Sequence, residues 1–168
     1  MTTELSGSKD IPMKAVDPHM HTAEHILNQT VVRLLECGRC FSAHIEKKKS
    51  KCDYRIDVPP TPETIRLIEE QVNRIIRADL TVGIILLSRT EAARRYNLER
   101  LPEDAGDTIR IVTVGDYDAC PCSGDHVIRT GELGAFRITS WDVNGSVLRI
   151  RFKLNRATGP APLNPLDN

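Results

Sequence analysis

Residues 17–35, DPHMHTAEHILNQTVVRLL, set the frame in which the rest of the chain is read. Asp17-Pro18 is a helix start: a short acidic side chain accepts a free first-turn N–H, and proline at the first helical position gives up no hydrogen bond. Met20, Ala23, Leu27, Val31 and Leu34 recur at helical spacing, so the helix is predicted to run to about Leu35. His21 and His25 stand four apart on it, on a face away from that stripe, so both rings can reach a common ion.

Outward from this helix, residues 41–45 and 54–58 read as strands joined by the polar stretch EKKKSK, a hairpin tip carrying Lys47, Lys48, Lys49 and Lys51. Thr61-Pro62 opens a second helix by the same cap-proline logic, with Ile65, Ile68, Val72, Ile75 and Ile76 as its apolar stripe and an end near Asp79. Residues 82–87 form an apolar run suited to a buried strand, 91–96 a short helix, and 108–114, 135–141 and 147–154 three further strands. Asn144-Gly145 between the last two supplies a tight hairpin turn. Hairpin-linked strands without regular alternation with helices point to one α+β domain, an antiparallel or mixed β-sheet covered by helices. Its expected limits are residues 17–156, between a flexible segment 1–16 and a proline-bearing flexible tail 157–168.

The 168 residues suit one core, and the formal net charge of zero excludes a whole-molecule field drawing the chain to nucleic acid or an anionic membrane, so any RNA contact is local. No apolar run approaches the roughly 20 residues that span a bilayer, and the first residues lack the apolar stretch of a secretion signal, so a cytoplasmic protein is expected. Five cysteines, an odd number, fit reduced thiols better than a disulfide framework.

Near the other end, Cys122-Ser-Gly-Asp-His126 repeats the four-residue spacing in a glycine-containing loop after a strand. His21, His25, Cys122 and His126 together offer imidazole nitrogen and thiolate sulfur, the donors that zinc prefers, whereas magnesium or calcium calls for oxygen. Four protein ligands are also the number of a closed structural site, so the spacing leaves structural and catalytic roles open.

HTAEHILNQTVVRLL, Val72-Asn73 and CSGDHVIRTGELGAFRI resemble the editing domains shared by alanyl-tRNA and threonyl-tRNA synthetases, whose pattern joins HxxxH to CxxxH. The likeness covers about residues 20–154, and with no aminoacylation domain present it is nearest to the short, free-standing alanyl-tRNA editing proteins of the AlaX type. The resemblance implies that His21, His25, Cys122 and His126 bind zinc, and that the chain hydrolyses serine or glycine from mischarged tRNA for alanine. Zinc suits this chemistry, because it lowers the pKa of water from 15.7 to about 7 and polarises an ester carbonyl. Where synthetase-linked domains usually read CGGTH, this chain has CSGDH, so Asp125 stands directly before the last ligand. Asp125 reads either as a carboxylate that holds water at the metal or orients His126, or as a turn residue beside glycine. Counting from the histidines, the hydroxyl that reads the seryl side chain in some members falls on Ser42.

Smaller signals surround this set. Cys120 is a rival to Cys122, but only Cys122 keeps the spacing to His126; Cys37-Gly-Arg-Cys40, with Cys52 and His44, is a possible second zinc site. The four lysines, and Arg149 and Arg151 on one face of the last strand, are either RNA contacts or ordinary surface charge. Two rival functions remain. His21-Thr-Ala-Glu24-His25 fits the HxxEH pattern of a metallopeptidase, in which the glutamate activates water, and a closed site would make the chain a non-catalytic, zinc-stabilised tRNA- or synthetase-binding module. Which misacylated tRNA is preferred and the oligomeric state are not legible in the sequence.

Overall fold

Cap and proline open the first two helices at the residues the sequence singles out. In the computed structural model, which describes residues 16–156, helix α1 spans Pro18–Leu35 and α2 spans Pro62–Arg77. Asp17 Oδ1 accepts the Met20 N–H at 3.0 Å, and Thr61 Oγ1 that of Thr64 at 3.2 Å. The expected flexible segments, 1–16 and 157–168, lie outside the described residues except for Val16. Helix α3, Arg89–Arg95, begins in a reciprocal cap: Ser88 Oγ accepts the Glu91 N–H, and the Glu91 carboxylate accepts that of Ser88.

Among the described residues, seven strands form two antiparallel sheets. The first has the order β1 (Ser42–His44), β2 (Ser50–Arg55), β7 (Val147–Asn155), β6 (Ala135–Asn144); the second has β3 (Val82–Ser88), β4 (Thr108–Val114), β5 (Asp118–Pro121). This is the α+β class expected, with the sheet divided in two. Strand β2 begins at Ser50 rather than at Tyr54, because Lys51 and Cys52 pair with His44 and Ala43 and the hairpin tip shortens accordingly. The β6–β7 turn is carried by Gly145 and Ser146, with Gly145 at φ 60° and Asn144 paired to Val147 as the last strand residue. Strand β5 and a 3-10 turn at Thr130–Leu133 had no clear sequence signal. Among the described residues no helix is long and apolar enough to cross a membrane.

Helix α1 is buried on more than its stripe. Met20, Ala23, Leu27 and Val31 are in the core, but so are Ile26 and His25, while Leu34 is 42% exposed. One apolar cluster unites α1, α2 and the inner faces of β2, β6 and β7, with Tyr54, Phe136, Phe152 and Leu148 at its centre. Each such side chain contributes about 1.5–3 kcal/mol on burial. A smaller cluster joins Ala92 to Ile109 and Ile111.

The run 82–87 is not the buried strand its composition suggests. Among the described strands β3 is an edge that pairs with β4, its Val82 N–H also reaching the Ile128 carbonyl, and Ile84, Ile85 and Leu86 are 58%, 48% and 66% exposed. Two motif segments instead prove to be joinery. The Asn73 amide donates to the Phe136 carbonyl and accepts its N–H, both at 2.9 Å, tying α2 to the start of β6. Buried Thr130 donates to the Ile75 carbonyl and accepts the Leu80 N–H, while a Cβ on Gly131 would lie 2.5 Å from Asp79 Oδ1, so TGELG closes against the end of α2.

Candidate metal centre

The core fixes α1 rigidly, and α1 presents His21 and His25 toward the loop that follows β5. From that loop come Cys122 and His126, and one donor atom of each of the four side chains lies within 4.8 Å of every other. Cys122 Sγ is 3.4 Å from both His21 Nε2 and His126 Nε2. Bonds of about 2.0–2.1 Å to nitrogen and about 2.3 Å to sulfur, meeting near the tetrahedral angle, subtend this separation. The His21 and His126 rings stack at 4.2 Å, and His25 meets them edge-on at 5.0 and 4.4 Å. The donor set and its spacing therefore fit a zinc-sized soft cation.

Surrounding groups bear on which nitrogen the His126 and His25 rings offer. Thr22 Oγ1 donates to the Pro18 carbonyl at 2.8 Å, so its single proton is committed. The same oxygen lies 2.9 Å from His126 Nδ1 and 3.2 Å from the Val127 N–H, and it accepts from both. His126 is thereby held as the Nδ1–H tautomer, its Nε2 lone pair aimed at Cys122. On the far side, His25 Nδ1 lies 3.4 Å from Cys120 Sγ and 3.7 Å from Asp118 Oδ2, and Arg39 grips Asp118 through two hydrogen bonds of 2.6 and 3.2 Å. Burial, and then the neighbouring His126, push His25 well below its ordinary pKa; burial brings His126 down to about 3. Both rings are therefore neutral at pH 7, the form that binds metal. Burial raises the Cys122 thiol, an effect that a coordinated cation reverses.

The loop is held close by a glycine and an arginine. A Cβ on Gly124 would come within 2.4 Å of His21 Cε1 and 2.7 Å of its Nδ1, so only glycine lets the backbone lie against that ring. Arg110 donates to the carbonyls of Cys122 and Gly124 at 2.9 and 2.7 Å. Thr22, Gly124, Arg110 and Asp118 were not foreseen as site residues. The two sequence clues were a hydroxyl residue directly after the first histidine and a glycine between the last two donors.

The remaining candidates are placed as follows. Asp125 is exposed, and Thr22 rather than Asp125 meets His126 Nδ1, because that nitrogen faces α1 while Asp125 faces solvent. Ser42 is exposed on β1, opposite Asp53. Cys120 flanks His25 outside the set of four, its thiol raised to about 12 by burial. Cys37 and Cys40 do not converge: Cys37 turns back to the Val31 and Gly38 carbonyls, and His44 pairs with Glu46 at 2.8 Å. Cys40 and Cys52 instead meet Glu24. Arg149 is clamped bidentately by Asp53 at 2.7 Å and Arg151 is paired with Asp142, while Lys47, Lys48 and Lys49 are exposed.

Residues 109–151, which begin in β4 and include Cys122 and His126, match the family model of the threonyl and alanyl tRNA synthetase second additional domain. The alanine–tRNA ligase of Coxiella burnetii (strain Dugway 5J108-111) is 32% identical over 149 residues, 88% of this chain and 17% of that protein. These matches fit an AlaX-like editing domain. The alanine–tRNA ligases of Salinispora tropica and Pseudoalteromonas translucida are 33% and 34% identical over 77% and 71% of the chain. The chain spans 17% of the length of the first of these curated relatives.

Proposed function

We propose that this chain is a zinc-dependent hydrolase that edits mischarged tRNA in trans, cleaving the ester between serine or glycine and tRNA for alanine. One observation carries the reading: two segments about a hundred residues apart in sequence bring three imidazoles and a thiol together, with both Nε2–Sγ separations at 3.4 Å. The synthetase-domain match over the cysteine-bearing loop supports the same reading.

In this reading His21, His25, Cys122 and His126 hold the zinc. When bound, the ion polarises the ester carbonyl and acidifies water to a pKa of about 7. Water adds to the carbonyl, the bond to the ribose oxygen breaks, that oxygen takes one of the water's protons, the other passes to solvent, and the amino acid leaves as a carboxylate. Thr22 keeps the His126 proton on Nδ1, so that Nε2 stays a donor throughout. Exposed Asp125, beside the last ligand, is assigned to hold water against the ester, and Ser42 to read the substrate hydroxyl. The setting is the cytoplasm, and the domain is residues 17–156.

The test is deacylation of seryl-, glycyl-, alanyl- and threonyl-tRNA by the purified chain, with and without chelator. Seryl- and glycyl-tRNA for alanine should be hydrolysed and chelation should stop it; His21→Ala and Cys122→Ala should lose bound zinc and activity together. Ser42→Ala should alter the ratio of seryl to glycyl rates. A binding module would leave every ester intact, and a peptidase would spare the esters while cutting peptides. Full activity in a demonstrably zinc-free variant would refute the assignment.

A further inference from the structure

A second set of soft donors lies beside the first. Cys40 comes from the turn before β1, Cys52 from β2 and Glu24 from α1, between the two histidines in sequence. The cysteines are 1% and 0% exposed and the Glu24 side chain 12%. One donor atom of each lies within 4.8 Å of the others, and Cys40 Sγ is 3.5 Å from Glu24 Oε1. Zinc bonds of about 2.3 Å to sulfur and about 2.0 Å to oxygen span that distance at the tetrahedral angle.

The set is also held in place. Asn28 Nδ2 donates to Glu24 Oε1 at 2.7 Å, while Asn28 Oδ1 accepts the Cys40 N–H at 3.2 Å, so a single amide fixes two of the three donors. Cys52 is fixed by β2, which pairs on both sides, with Ala43 of β1 and Ile150 of β7. Two thiols and a carboxylate buried together are an unfavourable group unless protons or a cation neutralise them. The Arg39 guanidinium is committed to Asp118, while that of Arg100 reaches the Cys40 thiol from outside the group.

We infer that Cys40, Cys52 and Glu24 Oε1 form a second site for a thiophilic divalent cation of the zinc class, distinct from the histidine-cysteine centre. Glu24 stands between the two. Its Oε1 faces Cys40, while its Oε2 lies 3.8 Å from His21 Nε2 and 3.9 Å from His25 Nε2, so one carboxylate borders both centres. The inference goes beyond the editing reading and does not depend on it.

Metal analysis of the full chain, purified under reducing conditions and equilibrated with zinc, should give two ions. Cys122→Ala should give one, retained on Cys40 and Cys52. Cys40→Ser should also give one, held by the first centre. Cobalt loading reports the thiolates separately: the sulfur-to-cobalt absorption of the wild type should fall by about two thirds when both Cys40 and Cys52 are serine. Because core cysteines can be needed for folding, the wild type supplies an independent readout. Alkylation mapped by mass spectrometry should reach Cys40 and Cys52 only after chelation. Glu24→Gln, which keeps the shape, should weaken the second ion by at least about tenfold. A stoichiometry of one that survives Cys40→Ser, or a Cys40–Cys52 disulfide in the zinc-equilibrated chain, overturns the second site. Failure of the editing reading would instead show as intact esters with both ions bound.

Discussion

Helix α1 and the loop at residues 122–126 each contribute two convergent side chains at the same four-residue spacing, yet they reach that geometry by opposite means. On a helix the spacing is itself the geometry: residues four apart lie on one face whatever surrounds them. In a loop it dictates nothing, and Cys122 and His126 are aimed from outside, by Arg110 on the carbonyls, Gly124 against His21 and Thr22 on His126. The helix half is therefore robust to substitution near it, and the loop half fragile.

The sharpest way to break this asymmetry is Gly124→Ala. The new Cβ would meet His21 at 2.4 Å with backbone on one side and the half-buried ring on the other, so ring or loop must shift. A shift of a few tenths of an ångström opens the Cys122–His21 separation. Zinc affinity, measured by chelator competition, should fall about 100-fold, with deacylation falling in step. Stability of the metal-free chain should drop by about 1–3 kcal/mol, the cost of overpacking. An unchanged zinc affinity would mean that the loop is not pinned against His21.

Thr22→Val should rank next. Valine fills the space but leaves His126 Nδ1–H and the Val127 N–H without their acceptor, which costs about 1–3 kcal/mol for each buried group left unmet. The His126 ring is then free to change tautomer or rotate, and zinc affinity should fall about 10-fold or more. Thr22→Ser, which restores the oxygen, should recover the affinity; failure of that rescue would assign the loss to packing instead.

What the sequence disclosed follows the same division. Helix starts, the α2 stripe and the two donor pairs were legible because each depends on residues within a turn of one another. Thr22 and His126 are 104 residues apart, and nothing local marks their meeting. The CxxC reading pointed Cys37 toward Cys40 because three-residue spacing suits a hook; the left-handed residue Glu36, at φ 51°, ends α1 and sends Cys37 back to the helix end instead. Of the partners offered to Cys40, Cys52 does meet it while Cys37 and His44 turn elsewhere, and Glu24, considered only as a peptidase base, was missed as a neighbour of the thiols. The apolar run 82–87 was read as buried because composition cannot distinguish a central strand from an edge, and β3 proved to be an edge.

The smallest effect is expected on the robust half, and it tests the comparison from the other side. Asp17→Ala removes the acceptor for the Met20 N–H, four residues before His21, and should cost about 1 kcal/mol of stability. Apolar packing of Ile26, Leu27 and Val31 holds α1 well beyond its first turn, so fraying at Pro18 need not reach the His25 ring. The Pro18 carbonyl, however, is the acceptor that commits the Thr22 proton. Zinc affinity should therefore change by less than about threefold, through Thr22 alone, while thermal unfolding shifts measurably. A loss of affinity as large as that of Thr22→Val would show that the first turn, and not the helical core, positions the histidine pair.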